Sequence, residues 1–366
     1  MSQFSSAFIL VSGLVCLLIG ADRLVRGASR LAQLLGVSPL IIGLTVVAFG
    51  TSAPELGVSL QAVSSGKGEM ALGNAVGSNI INVLLVIGVS AAITPLMVSQ
   101  QLIRLDVPIL IGLSIFAWAL SIDGRLGRGD GILLILIGTV YTGFLIFQSR
   151  KESEAVQEMY RKKFGPVLEK KWKDWLFHLG IVVVGGILLV WGSRWFVSGA
   201  AIMARSLGMS ELVIGLTILA VGTSLPEIAT SVVASIRGER DIAVGTVVGS
   251  NLMNLVFVLG FSSIMALAGI PVPSAAIRFD MVVMIAVAIA CLPIFFTGYT
   301  ISRWEGLLFL GYYMAYILYL FLNSTQHQGL PTFSWVMMAF VIPLTVVTLL
   351  VLTYQAFRDR PGETQY

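Results

Sequence analysis

The stretch GLTVVAFGTSAPE, residues 43–55, returns as GLTILAVGTSLPE at residues 215–227. Each is followed by a GSN-x-x-N run, GSNIIN ending at Asn82 and GSNLMN ending at Asn254. All these matches share one offset of 172, and between 36–90 and 208–262, 26 of 55 aligned pairs are identical without a gap. Shared apolar composition alone does not produce that register, so the chain is an internal duplication.

Each copy sets one carboxylate, Glu55 or Glu227, in a segment otherwise apolar enough to cross a bilayer. An ionisable group there is costly and marks a functional site. Neither motif segment holds a basic residue before its ends, so a salt bridge within the helix does not explain the glutamates. Pro54 and Pro226 precede them directly. Proline has no N–H for the carbonyl four residues back, here Gly50 and Gly222, and Gly-Thr-Ser tolerates unwinding, so each copy predicts a broken helix. Broken backbone at membrane depth is tolerated where it is buried in protein or lines a wet cavity, and paired interrupted spans in two halves point to a transporter's binding site.

The oxygen donors available around that break are of one chemical kind. Thr51, Ser52, Thr223 and Ser224 stand just before the Pro-Glu pairs, where their hydroxyls either ligate ions or back-bond to helix carbonyls. Ser78 with Asn82, and Ser250 with Asn254, are four apart and share a helix face; beside the glutamates they read as ligands and not only as interhelical bonds. Carboxylate, hydroxyl and amide oxygens are hard donors suited to Na⁺, Ca²⁺ or Mg²⁺.

GTSAPE with GSNIIN and GTSLPE with GSNLMN resemble the two alpha repeats of the calcium/cation antiporter superfamily, the sodium/calcium exchangers, and most of all the bacterial inner-membrane branch. The resemblance covers roughly residues 5–322. It implies a Na⁺/Ca²⁺ antiporter of the inner membrane that works by alternating access, with the first and sixth spans sliding over the rest. It also implies that Thr51, Ser52, Thr223, Ser224, Ser78, Asn82, Ser250 and Asn254 join Glu55 and Glu227 in the ion site. Some family members carry Asp at one of the two asparagine positions; both are Asn here, which leaves two site carboxylates. Two carboxylates balance one divalent or two monovalent ions, so Ca²⁺ and Na⁺ compete for the same oxygens.

Composition agrees: 57% of the 366 residues are hydrophobic and 11% charged, with mean hydropathy +0.92, where a soluble chain carries about 25% charged residues. Apolar stretches fall near 4–21, 38–64, 70–95, 104–122 and 130–148, then 175–197, 210–236, 241–269, 278–297 and 304–322, with an eleventh near 333–355. The expected fold is an all-α polytopic membrane protein, an inverted repeat of 5+5 transmembrane helices plus an extra C-terminal helix. Five spans per half is odd, which inverts the second half. The expected divisions are 1–149, a linker at 150–174, 175–323, and 324–366.

If the 150–173 loop is cytoplasmic, 17 of the 23 basic residues lie inside and six outside, which puts the N-terminus outside and the C-terminus in the cytoplasm. The first span, with no basic run before it, reads as a membrane helix and not a cleaved signal. The loop mixes both signs and reads as a linker resting on anionic lipid. The net charge of +4 is spread between spans and implies membrane lipid as partner, not nucleic acid. No Gly-x4-Gly-Lys-Ser/Thr loop is present, so no nucleotide and no cofactor is expected. Cys16 and Cys291 lie in apolar spans as small packing residues. An enzyme using Glu55 and Glu227 as an acid/base pair is disfavoured, since His178 and His327 lie away from both; a proton-coupled exchanger and a cation channel are the competing transport readings. Gly43, Gly73, Gly77, Gly88 and their partners are expected to allow close helix packing.

Overall fold

A computed structural model describes residues 3–151, 172–207, 209, 214, 218 and 220–358. The first half comprises α1 (Gln3–Leu35), α2 (Pro39–Thr51), α3 (Ala53–Ser64), α4 (Gly68–Ile93), α5 (Leu102–Leu120) and α6 (Arg128–Lys151). The second comprises α7 (Trp172–Ser206), a turn of helix at Ala220–Gly222, α8 (Leu225–Ile236), α9 (Arg240–Met265), α10 (Ala276–Phe296) and α11 (Arg303–Ser324), and α12 (Leu330–Tyr354) follows. Among the described residues nine helices are long and apolar enough to span a bilayer, and α2 with α3, bent by 41°, makes a tenth. The one expected span not among these, 210–236, is described only in part, and most of the central linker lies outside the described residues.

The repeat is inverted, and the glycines show it. A Cβ at Gly13 would sit 2.8 Å from the Gly192 carbonyl oxygen and one at Gly20 would sit 2.9 Å from that of Gly185. Gly13 is equivalent to Gly185 and Gly20 to Gly192, so equivalent helices α1 and α7 run antiparallel and meet backbone to backbone. Gly88 meets the carbonyl of Gly306, and Gly131 that of Gly260, again a reciprocal exchange between halves. Two short ribbons repeat the pattern: β1 (Leu96–Met97) pairs antiparallel with β4 (Thr300–Ile301), and β2 (Arg125–Leu126) with β3 (Ile270–Pro271). Gly43 packs against Ile242 as expected; no described atom lies within 4 Å of a Cβ at Gly73 or Gly77. Their equivalents Gly245 and Gly249 pack on Leu40 and Leu44, and the matching segment of the second half falls mostly outside the described residues.

Helices α1 and α7 run well beyond their apolar stretches, to 33 and 35 residues. At 1.5 Å per residue each is about 50 Å long, more than the ~30 Å hydrocarbon core requires. The sequence windows stop at Asp22 and Arg23 because charge ends the hydropathy signal, not the helix. In the centre lie α4 and α9, with 72% and 94% of their apolar windows buried. Outside them, duplicated pairs join neighbouring helices: Tyr141 donates to buried Asp106 at 2.8 Å, and Tyr316 to part-buried Asp280 at 3.0 Å. The helix starts are duplicated too, since Asp130 accepts from the Gly127 N–H and Glu305 from the Ser302 N–H, both at 2.7 Å. Helix α12 lies on the perimeter, where Tyr312 of α11 donates to the Thr345 hydroxyl at 2.7 Å.

Candidate functional site

Both breaks occur, one residue earlier than proline alone dictates. Ser52 (φ −80°, ψ 0°) and Ser224 (φ −87°, ψ 5°) leave helical geometry, and Pro54 and Pro226 then stand in the first turns of α3 and α8. There a missing N–H is one that no helix would satisfy anyway. The prolines therefore start the second segment as much as they end the first. Glu55 and Glu227 follow in the same first turns, at the positive ends of α3 and α8, which favours negative charge.

Each break faces the partner half's GSN-x-x-N helix. Glu55 and Glu227 are wholly buried and close enough to interact electrostatically. Neither carboxylate makes a hydrogen bond with described protein atoms. The Thr51 and Ser250 hydroxyls share a bond at 3.1 Å across the two halves and adjoin the Glu227 carboxylate without completing hydrogen bonds to it. Ser52 and Ser224 are buried with unpartnered hydroxyls, and Ser78 is buried. Thr223 is half-buried and donates to the Asn74 side-chain oxygen at 3.4 Å. Thr51 also leans toward the Ala48 carbonyl at 3.3 Å, so back-bonding and site-facing are not exclusive roles.

Asn82 and Asn254 each open a π-helical turn, Asn82–Ile87 and Asn254–Val258, a distortion frequent at functional sites. Asn82 is buried with both amide atoms unpartnered, whereas Asn254 donates to the Asn79 side-chain oxygen at 3.1 Å and keeps its own oxygen unpartnered.

The duplicated motif also contains residues that sequence reasoning passed over. Asn79 and Asn251 donate to one another's backbone carbonyls, each at 3.2 Å. This reciprocal pair stands where α4 and α9 cross and joins the repeats directly. Asn74 donates to the Glu55 carbonyl at 3.0 Å and to Ser59 at 2.9 Å, which fixes α3 against α4. Its equivalent, Thr246, cannot reach as far; in the second half Ser231 donates to the Ala243 carbonyl at 3.0 Å instead. The signal for Asn74 was its spacing, since 74, 78 and 82 are successive fours on one face of α4.

The carbonyl freed by Pro226 is not open. Ser193 of α7 donates its hydroxyl to Gly222, so a helix of the outer pair satisfies it. The position equivalent to Ser193 in the first half is Ala21, which carries no hydroxyl, and the two breaks are chemically unlike. Among the described residues no group of three or more His, Cys, Asp or Glu converges. Beyond the two glutamates, then, the oxygens gathered here are neutral, the donor set of a hard cation.

An inverted helical repeat with opposed carboxylates at its paired breaks is the architecture of a secondary cation transporter. The family model described as "Sodium/calcium exchanger protein" matches residues 5–149 and 177–322. The putative antiporter CaxA of Alkalimonas amylolytica is 40% identical, over 79% of this chain and 88% of its own length. The inner membrane protein YrbG of Escherichia coli (strain K12) is 38% identical over 70% of this chain and 78% of its own. The structure of the sodium-calcium exchanger NCX_Mj soaked with zero Na⁺ and Ca²⁺ superimposes with a TM-score of 0.74 at 30% identity, covering 87% of this chain and 100% of that one. The chain belongs to the sodium/calcium exchanger family.

Proposed function

We propose that this integral membrane cation exchanger trades Na⁺ for Ca²⁺ by alternating access, with both ions bound in turn between Glu55 and Glu227. The observation that carries the reading is the pair itself: two wholly buried carboxylates from equivalent broken helices, within electrostatic reach of each other and with no hydrogen-bond partner among the described residues. Buried charge without a partner costs several kcal/mol, and a cation offsets that cost. One Ca²⁺ neutralises the pair, as do two Na⁺, so occupancy by one ion opposes occupancy by the other.

The ligand set comprises Glu55, Glu227, Thr51, Ser52, Thr223, Ser224, Ser78, Asn82, Ser250 and Asn254. Support for it is their burial or half-burial at the convergence of α2, α3, α4, α8 and α9, and the unpartnered hydroxyl or amide atoms of Ser52, Ser224, Asn82 and Asn254. The name of NCX_Mj supports the choice of ions, and similarity to YrbG supports placement in a bacterial inner membrane. The loop charges support an external N-terminus and cytoplasmic C-terminus. The repeat units are taken as 1–149 and 175–323, separated by a cytoplasmic linker at 150–174 and followed by 324–366.

Proteoliposomes loaded with Na⁺ and diluted into Na⁺-free medium with radioactive Ca²⁺ test this function. Uptake that requires the outward Na⁺ gradient is the expected result. Uptake that follows a pH gradient instead, or a saturable leak with no gradient, would replace the reading by a proton-coupled exchanger or a channel.

A further inference from the structure

Helix α12 lies beyond the segments that the family model matches, which end at residue 322, and the ion site gives it no task. None of its apolar window is buried. Between α10, α11 and α12 lies a cavity of about 310 Å³, at the lower end of the ~300–1,000 Å³ range of small-ligand sites. Its floor includes buried Phe309 and, from α4, buried Leu84, which stands in the π turn that Asn82 opens.

The cavity is long. It runs from Phe279 to Ile294 on α10, from Tyr319 back to Leu308 on α11 and from Phe333 to Leu349 on α12. At 1.5 Å per residue these stretches measure about 16–24 Å, along helices that cross the bilayer, and each exceeds the ~15 Å half-thickness of a hydrocarbon core. Its mouth opens on the perimeter, since Met338, Ile342 and Val346 line it from α12 and are 70%, 38% and 49% exposed. In a membrane that exposure is to lipid.

Three of the five hydroxyls on the lining are already engaged: Tyr312 with Thr345, Thr345 with the Val341 carbonyl at 2.9 Å, and Tyr316 with Asp280. The other two, on Tyr319 and Ser334, lie toward the end where α11 turns into α12. Between them and the far end the wall is aliphatic and aromatic. Water does not fill an apolar cavity, and an empty one forfeits the dispersion contacts of its lining. The surrounding bilayer supplies one filler of matching chemistry and length, a hydrocarbon chain entering from the side.

We propose that the cleft between α10, α11 and α12 is a binding site for one acyl chain of a membrane lipid, with α12 as its outer wall. The site is separate from the Glu55/Glu227 pair, and the proposal does not depend on which ions are exchanged.

The test titrates the purified full chain, in a mild uncharged detergent, with dioleoyl phosphatidylcholine and separately with dioleoyl phosphatidylglycerol, and counts bound lipid by native mass spectrometry. The cavity variant is Ala286→Phe with Ala290→Phe, which fills the cleft from the α10 side. The control is Leu136→Phe with Val140→Phe, also four apart, on the perimeter of α6 where both are exposed. Wild type and control should bind one lipid in a saturable step, with like affinity for the two head groups because the chain is what is held. The cavity variant should bind at least tenfold more weakly, a factor that lost burial of only a few methylenes supplies. Thermal unfolding checks that each variant is folded; should the pair of phenylalanines prevent folding, Ala315→Phe fills the cleft from α11 and carries the same comparison. No saturable step, equal losses in cavity and control variants, or binding of one head group only would overturn the proposal. So would a dimer that the cavity variant disperses, which would assign the cleft to a second copy of the chain.

Discussion

Changing Glu227 to Gln keeps the shape of the side chain and removes half the charge of the proposed ion site. Its effect should scale with the valence of the ion. An oxygen about 2.4 Å from a cation interacts with it by roughly 7 kcal/mol per unit of ion charge at an effective dielectric of ~20, before desolvation is counted. The amide oxygen recovers part of this, and buried close charge pairs retain couplings of about 1.5–7 kcal/mol. Taking about 2 kcal/mol for Na⁺, the divalent loss is about twice that, ~4 kcal/mol. At ~1.4 kcal/mol per decade, Na⁺ affinity should fall about 30-fold and Ca²⁺ affinity about 1,000-fold. Titration calorimetry of each ion on purified protein reads both numbers, and thermal unfolding checks that the variant is folded. Glu55→Gln should behave alike, because both carboxylates are wholly buried at equivalent positions. Equal losses for the two ions, or wild-type Ca²⁺ affinity in either variant, would refute the charge argument and with it the assignment of the pair.

Gly192→Val should destabilise the α1/α7 contact by about 1–3 kcal/mol, because its Cβ would meet the Leu17 backbone N at 2.7 Å and the Gly13 oxygen at 2.9 Å. Gly186→Val, six residues earlier on α7 with no described atom within 4 Å, should leave the thermal midpoint almost unchanged. Pro54→Ala should weaken ion binding more than Pro226→Ala, because the restored N–H finds the Gly222 carbonyl already accepting from Ser193; calorimetry giving the opposite order would show that the breaks do not depend on these carbonyls. A cysteine placed in the 150–170 loop should resist membrane-impermeant thiol reagents in intact cells, and one at 326–330 should react; the reverse labelling would invert the proposed orientation.

The duplication made most of this architecture legible. A repeat offset of 172 locates two equivalent breaks, two glutamates and two polar faces before any packing is known. What stayed hidden depends on packing between segments far apart in the chain. The π turns at Asn82–Ile87 and Asn254–Val258 have no composition of their own. The full lengths of α1 and α7 exceed any apolar window because Asp22, Arg23, Arg26 and Arg30 sit on a helix whose far end leaves the hydrocarbon. Asn79 and Asn251 were overlooked although they stand inside the quoted motif. A fourfold spacing selects Ser78 with Asn82, and the residue between them points about 100° away, toward the other repeat rather than toward the glutamates.

The halves are equivalent in backbone but not in chemistry, and the differences gather at the breaks. Asn74 fixes the first turn of α3 through the Glu55 carbonyl, whereas Thr246 at the equivalent position has an unpartnered hydroxyl. Ser193 secures the Gly222 carbonyl to α7, whereas Ala21 offers α1 nothing with which to secure Gly50. Besides the Thr51–Ser250 and Thr223–Asn74 bonds that cross between halves, the first break is held through α4 and the second through α7. An inverted repeat of identical halves would present the same resistance to motion toward either side of the membrane. Under the proposed alternating access, a shift of α1 and α7 relative to the breaks would strain the Ser193–Gly222 bond at the second break and meet no counterpart at the first.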